Sequence, residues 1–234
     1  YYATRSDAKD VADGRTLREA SSRGYLTVVR CILERGTGTV DEGGSGGMTP
    51  LCRASLKGHV EVVKTLLGAK ADVNKSSNSG STPLYWASWN GYLEVVKALL
   101  AAKAEVNKSD GNSWAPLYVA SWEGHVEVVK ALLGAEADVN ESTDVGMTPL
   151  YMASRNGHVE VVKALLAAEA EVNKSTNSGR TPLHEASWEG HVEVVKALLA
   201  AEAEVNKSTN SGMTPLRIAI SHSHLEVAAV LREA

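Results

Sequence analysis

The chain has 234 residues, with 24 Lys and Arg against 28 Asp and Glu and a net charge of −4. That length suits one or two globular domains, and the acidic balance without any basic run argues against a nucleic-acid partner. At 44% hydrophobic and 22% charged residues the chain is an ordered protein, no apolar run approaches the roughly 18 residues of a membrane helix, and the opening YYATRSDAKD carries no signal-peptide core.

One unit is copied along the chain. The six prolines fall at 50, 83, 116, 149, 182 and 215, always 33 apart, and each opens a similar phrase: MTPLCRAS, STPLYWAS, WAPLYVAS, MTPLYMAS, RTPLHEAS, MTPLRIAI. A Gly follows at 58, 91, 124, 157 and 190, with Ser223 in the last copy, and HVEVVKALL recurs unchanged at 125–133, 158–166 and 191–199. A fainter copy stands at the front, marked by Leu17, Ala20 and Gly24. Repetition at this period means a linear array.

Each unit reads as two short helices. Thr49, Thr82, Thr148, Thr181 and Thr214 suit an N-cap, and Pro at the next position has the fixed φ and missing N–H that the first helical residue tolerates. The Gly after each phrase ends the first helix. The second, for instance from about Val126 to Ala135, sets Val and Leu at helical spacing with Glu127 and Lys130 outward. Polar stretches such as VNKSTNSG link the units as extended turns or hairpins. Neither helix buries its apolar face alone, so neighbouring units supply the other wall.

The pattern resembles the ankyrin repeat family, on the phrase Thr181-Pro182-Leu183-His184, on Gly190-His191, on the Val-Val…Leu-Leu helix and on Asp138-Val139-Asn140. The resemblance covers about residue 15 to 234. It implies an all-α ankyrin-repeat solenoid of stacked helix-turn-helix units with connecting β-hairpin loops, and a role in binding other proteins through the concave face made by hairpin tips and first helices. The last copy has Arg232 where internal copies have Leu133, Leu166 and Leu199, and at the front Thr16 replaces Pro while Thr27 and Arg30 take the outer helix. The expected division is a single repeat domain: an N-terminal capping repeat at 1–47, five repeats at 48–212 and a C-terminal capping repeat at 213–234. Uniform copies between distinct ends resemble designed ankyrin repeat proteins; recent natural duplication is the competing account. One departure is clear. Where the family has Gly after the second helix, in a left-handed conformation, this chain has Lys70, Lys103, Glu136, Glu169 and Glu202.

Copies that share a structural duty keep one residue, so function is sought where they differ. With the Gly before each phrase as position 4, variation gathers at positions 5, 9, 10, 13 and 14. All five Trp and all four Met of the chain lie at positions 5, 10 and 13. Positions 5, 9 and 13 are four apart, as are 10 and 14, and form one stripe on the first helix. The candidate partner-binding residues are Met48, Arg53, Leu56, Lys57, Trp86, Trp89, Asn90, Trp114, Trp122, Glu123, Met147, Met152, Arg155, Asn156, Arg180, Glu185, Trp188 and Glu189. Trp and Arg are enriched at binding hot spots, and Met makes adaptable contacts. The opposing reading, that aromatics and Met at helical spacing are core, predicts uniformity that these positions lack. Position 9, with Tyr85, Tyr118 and Tyr151, is read as structural.

Other chemistry finds no footing. His59, His125, His158, His191 and His224 recur once per unit, at packed-helix spacings of about 8–10 Å that forbid a shared metal. Cys31 and Cys52 lack a metal or catalytic spacing. No phosphate loop, metalloprotease pair or nucleophile elbow is present. The expectation is a non-enzymatic binding module without cofactor or metal, monomeric, cytoplasmic or otherwise intracellular if natural, engaging a protein rather than nucleic acid or membrane. The alternative is a stable repeat scaffold with no dedicated partner.

Overall fold

Each TPL phrase opens a short helix. In the computed structural model, which describes residues 14–36 and 39–234, the Oγ1 of Thr49, Thr82 and Thr148 accepts the backbone N–H three residues on at 3.1 Å, and Thr214 does so at 3.3 Å. The first thirteen residues of the expected N-terminal capping repeat, with Thr37 and Gly38 of the Gly-rich join, lie outside the described residues.

Between Gly111 and Asn112 the chain divides into two compact units. The first holds α1 (Gly14–Arg23), α2 (Leu26–Arg35), α3 (Pro50–Leu56), α4 (Val60–Gly68), α5 (Pro83–Trp89) and α6 (Leu93–Ala101). The second holds α7 (Pro116–Glu123), α8 (Val126–Gly134), α9 (Pro149–Arg155), α10 (Val159–Ala167), α11 (Pro182–Glu189), α12 (Val192–Ala200), α13 (Pro215–Ser221) and α14 (Leu225–Glu233). First helices stack on first helices, α1–α3–α5 and α7–α9–α11–α13, and second on second, α2–α4–α6 and α8–α10–α12–α14. The fold is an all-α repeat stack, and no strand occurs among the described residues.

The links are tight turns rather than the expected β-hairpins. Ser77 N–H donates to Ser81 O at 3.0 Å and Gly80 N–H to Ser77 O at 2.9 Å, and the same pair of bonds closes the turns at Thr143, Thr176 and Thr209. Successive turns are tied edge to edge, Asn78 N–H to Gly46 O at 2.8 Å in the first unit and Asn177 N–H to Val145 O at 3.0 Å in the second. Gly146 holds this turn with φ +84°, where its hydrogen already faces the Thr176 backbone. In the third copy Ser113 takes the equivalent left-handed conformation without glycine, at φ 62°, and its hydroxyl donates to Asp144 Oδ1 at 2.8 Å.

Two devices join neighbouring repeats, and each uses residues that the sequence repeats. The Asn of the VN pair reaches the next repeat: Oδ1 of Asn74, Asn140 and Asn173 accepts the N–H of Glu105, Glu171 and Glu204, each at 2.8 Å. The recurring His lays its ring on the glycine that ends the previous first helix. A Cβ at Gly124 or Gly157 would lie 2.7 Å from the ring of His158 or His191. Nε2–H of those rings donates to Trp122 O and Arg155 O, both at 2.9 Å, and His224 donates to Trp188 O at 2.8 Å. The core between is Leu, Val and Ala: Leu51, Ala54, Val63 and Leu66 in the first unit, and Leu150, Ala153, Val162 and Leu165 in the second, are fully enclosed. Each such Leu or Val contributes about 1.5–3 kcal/mol by burial.

The second helices end as the departure from the family pattern requires. Lys70, Lys103, Glu136, Glu169 and Glu202 are all left-handed, with φ between 61° and 63°. Lys70 N–H donates to Leu67 O and Ala71 N–H to Leu66 O, the paired bonds that normally favour Gly at this position. A residue with a Cβ costs roughly 1–2 kcal/mol in this conformation, offset in part by the wider freedom of glycine in the unfolded chain. Glu136→Gly and Glu169→Gly are each expected to stabilise the protein by about 1 kcal/mol, read as a higher urea midpoint at unchanged slope; a lower midpoint for both would refute the account.

His184 closes the N-terminus of α11 differently from its neighbours. Its Nδ1 accepts from the Thr181 backbone N–H at 3.1 Å, and its Nε2–H donates to Met213 O at 3.1 Å. Burial, aided by nearby Arg180 and Lys207, holds the imidazole below its ordinary pKa of 6.5. The neutral ring is therefore the folded form, while the unfolded chain takes up a proton near pH 6.5. This contribution to stability is present above pH 6.5 and is lost as pH falls below it. Replacing His184 by Gln, which keeps an acceptor for the Thr181 N–H, is expected to flatten the decline of the urea midpoint between neutral and mildly acid pH; an unchanged slope would remove His184 as its source.

Candidate binding surface

In the first unit, Met48, Arg53 and Leu56 are half-buried and Lys57 is exposed along α3 and its ends. On α5, Trp86 and Trp89 are half-buried around buried Tyr85, with ring centroids 5.3 and 5.9 Å from it. Asn90 folds back, its Nδ2 donating to Trp86 O at 2.9 Å.

The second unit carries the denser array. Trp114, Tyr118 and Trp122, four residues apart, form one aromatic cluster, with centroids 5.4 Å apart for the two Trp and 6.0 Å from each Trp to Tyr118. Trp114 and Trp122 are half-buried, whereas Tyr118 is 2% exposed and its phenol is pushed up to about 12 by burial. Tyr85 and Tyr151 are equally enclosed, so position 9 belongs to the framework. Glu123, Arg155 and Glu189 are exposed, Asn156, Met147 and Arg180 half-buried, and Trp188 40% exposed. Arg180 holds its guanidinium 4.6 Å over the Trp188 ring.

Position 10 departs from the expected stripe. Met152 is 2% exposed and belongs to the core, so it is withdrawn from the candidate surface. Position 10 lies one residue, about 100° of helix, beyond position 9; in the second unit Val119, Met152, Glu185 and Ile218 are all buried there. Glu185 is a buried carboxylate, and burial demands partners. It lies in ion-pair contact with Arg180, 3.9 Å from Arg155, and accepts from the Tyr151 hydroxyl. Burial first, and then this carboxylate, raises the Tyr151 phenol well above its ordinary range. Glu185 therefore acts on the surface indirectly, by fixing the two arginines.

An open cleft of about 530 Å³ lies at the ends of α7, α9 and α11 and the starts of α10 and α12, lined by Trp122, Glu123, Arg155, Asn156, His158, Glu189 and His191. Asn156 Nδ2 and His158 Nε2 both donate to Trp122 O, at 2.7 and 2.9 Å, and Arg155 lies 3.9 Å from Glu189. Variation between copies does not mark the two histidines, because all copies but two, which have Tyr25 and Tyr92, share them; only their position beside the varied residues could have flagged them. A second hollow of about 130 Å³ lies beside Arg180, Trp188, Met213 and Ile218. Among the described residues no group of three His, Cys, Asp or Glu is arranged to hold a metal ion, and no helix is long and apolar enough to cross a membrane.

The family described as ankyrin repeats (3 copies) matches residues 17–110 and 117–209, and ankyrin repeats (many copies) matches residues 90–133 and 189–232. The chain belongs to the ankyrin repeat family. Among curated proteins it is similar to the ankyrin repeat and KH domain-containing protein mask of Drosophila melanogaster, at 39% identity over 68 residues. That match takes in 29% of this chain and 2% of the Drosophila protein.

Within its ankyrin repeats the varied residues thus fall into two kinds. Met152→Ala is expected to lose about 2–5 kcal/mol of stability, as an enclosed Met does. Trp188→Ala removes a 40% exposed ring and should cost less than Met152→Ala. Urea unfolding of the two variants checks the order, and a larger loss for Trp188 would return that ring to the core.

Proposed function

We propose that this ankyrin repeat chain is a non-enzymatic protein-interaction module, and that its first-helix stripe receives the partner. The observation that carries the reading is a division of labour in the second unit. Residues common to the repeats, such as Leu150, Ala153, Val161 and Leu165, are buried, while Trp122, Arg155, Trp188 and Glu189 differ between copies and reach solvent. Protein-interaction repeats keep the framework and vary the contact, and Trp and Arg are the side chains that concentrate binding energy. The organisation that goes with it is an N-terminal capping repeat at 1–47, five repeats at 48–212 and a C-terminal capping repeat at 213–234, acting as a monomer. The uniformity of the copies fits an engineered binder.

Members of this stripe are expected to be unequal. Against a protein captured by the immobilised chain, at least one of Trp122→Ala, Arg155→Ala and Trp188→Ala should lose about 2 kcal/mol or more of affinity. Calorimetric titration with circular dichroism as a folding control reads this. Full affinity in all three variants, or no captured protein that depends on any of them, would overturn the reading in favour of a scaffold without a dedicated partner.

A further inference from the structure

We infer that Arg53, Lys57 and Trp86 of the first unit receive a carboxylate side chain of the partner, presented by an acidic segment. This rests on the protein-binding reading above and specifies what the stripe recognises in that unit.

Arg53 and Trp86 hold position 10 of α3 and α5, which pack side by side, and Lys57 lies one turn beyond Arg53 on the same helix face. Arg53 Nε and Trp86 Nε1 are both enclosed, and neither has a hydrogen-bond acceptor among the described residues. Arg53 and Lys57 likewise have no ion-pair partner among the described residues. The carboxylates of α1 and of the join before α3 are engaged elsewhere. Glu19 pairs with Arg23 at 2.6 Å, Glu42 with Arg18 at 3.4 Å, and Asp41 accepts the backbone N–H of Asp72 at 3.0 Å. Helix α5 brings no charge, since its residues are PLYWASW. This face therefore combines two uncommitted cations with two orphaned N–H groups, and an enclosed donor is destabilising until an acceptor is supplied.

The donors define the group they lack. A carboxylate accepts the guanidinium fork, keeps lone pairs for an indole N–H, and its charge answers both cations. An amide offers one acceptor oxygen and no charge, and a basic side chain would be repelled. Two cations match one or two carboxylates rather than the run of phosphates on a nucleic acid, which calls for a longer basic footprint. The second unit shows such a set completed from within. There Glu185, also at position 10, holds Arg180 and accepts from the Tyr151 hydroxyl, so one carboxylate serves a guanidinium and an aromatic donor together. In the first unit position 10 of α3 and α5 supplies only the donors. Arg53 and Trp86 are half-buried and Lys57 is exposed, so the acceptor comes from outside.

The test uses the full chain and three acetylated, amidated peptides of alternating glycine with glutamate, glutamine or lysine, followed by calorimetry and by the indole N–H resonances of the nitrogen-labelled protein. The glutamate peptide should bind saturably, weaken as salt is raised, and shift the Trp86 resonance, which Trp86→Phe identifies by its loss. The glutamine and lysine peptides should not bind. The double variant Arg53→Gln with Lys57→Gln should weaken the glutamate peptide about tenfold or more without lowering the melting midpoint, since neither cation has an ion pair to lose. Trp86→Phe, which keeps a ring and loses the N–H, should weaken it by a smaller factor. Equal binding of the glutamate and glutamine peptides, indifference to the double variant, an unmoved Trp86 resonance, or equally tight binding of an oligothymidylate would each overturn the inference. Should a captured protein partner depend on Trp122, Arg155 or Trp188 yet tolerate the double variant, the binding reading stands and the carboxylate inference falls. If no partner depends on the stripe at all, the binding reading itself falls.

Discussion

A ring resting on a bare glycine is the contact on which both halves of this molecule depend. In the first unit His59 covers Gly24 and Tyr92 covers Gly58; in the second, His158, His191 and His224 cover Gly124, Gly157 and Gly190, where a Cβ would come within 2.8 Å of the ring in every case. Glycine serves twice here, as a left-handed stop to the first helix and as the only residue flat enough for the ring. The same histidines donate to the carbonyl at the end of the preceding first helix. In the second unit those carbonyls belong to Trp122, Arg155 and Trp188, so that an arginine and two tryptophans are clamped by the same backbone bond. A constant joint thus presents a changeable side chain, and this lets one framework host many surfaces.

Stability and strain in the array are distributed accordingly. Helices of seven to ten residues are too short to persist alone, so they hold only by burying one face on the next repeat. The Asn that bonds forward to Glu105, Glu171 or Glu204 ties the turn side of each junction as the histidine ties the helix side. Against this, five charged residues sit in a left-handed conformation at the ends of the second helices. Their side chains point to solvent and make no compensating framework contact that would explain them, and repetition multiplies the cost. The stack tolerates them because the paired bonds that close the helix, such as Ala71 N–H to Leu66 O, are made by the backbone whatever the side chain.

Most of the fold was legible in the sequence because its signals are backbone rules. Proline after threonine marks a helix start, glycine 8 residues after the proline marks its end in most copies, and Val-Val with Leu-Leu marks a buried face. The left-handed Lys70 and Glu136 were legible for the same reason, as residues standing where glycine belongs. The link was less so: its polar residues allow an extended turn or a hairpin, and it is a closed turn, since Thr143 bonds to Met147 within it and leaves no run long enough for a strand. The candidate surface was legible only in part. Variation between copies marks freedom from the shared framework, and it marked Met152 and Glu185 along with Trp122 and Arg155. It does not tell whether the freed position faces solvent or a neighbouring helix with a different complement. Conversely, His158 and His191 line the cleft while being shared with other repeats, and a reading built on differences passes over such residues.

Buried Glu185 shows what variation inside the core accomplishes. In α11 the pair His184–Glu185 stands where α9 has Tyr151–Met152, so one repeat exchanges an apolar layer for a polar one. A buried carboxylate is costly unless its oxygens are engaged, and replacing such groups by apolar residues is often neutral or stabilising. Its value here lies in what it holds. Glu185 draws in Arg180 from the turn before α11 and faces Arg155 on α9, and Arg180 in turn lies over Trp188. Side chains that would otherwise sample many rotamers are thereby set before any partner arrives, and ordering them beforehand lowers the entropy lost on binding. Glu185 neutralises Arg180, while Arg155 lies 3.9 Å from both Glu185 and Glu189 and stays exposed, so the stripe in this region offers aromatic surface beside a mixed set of charges. Selectivity at the surface of this unit is accordingly set from one layer beneath it.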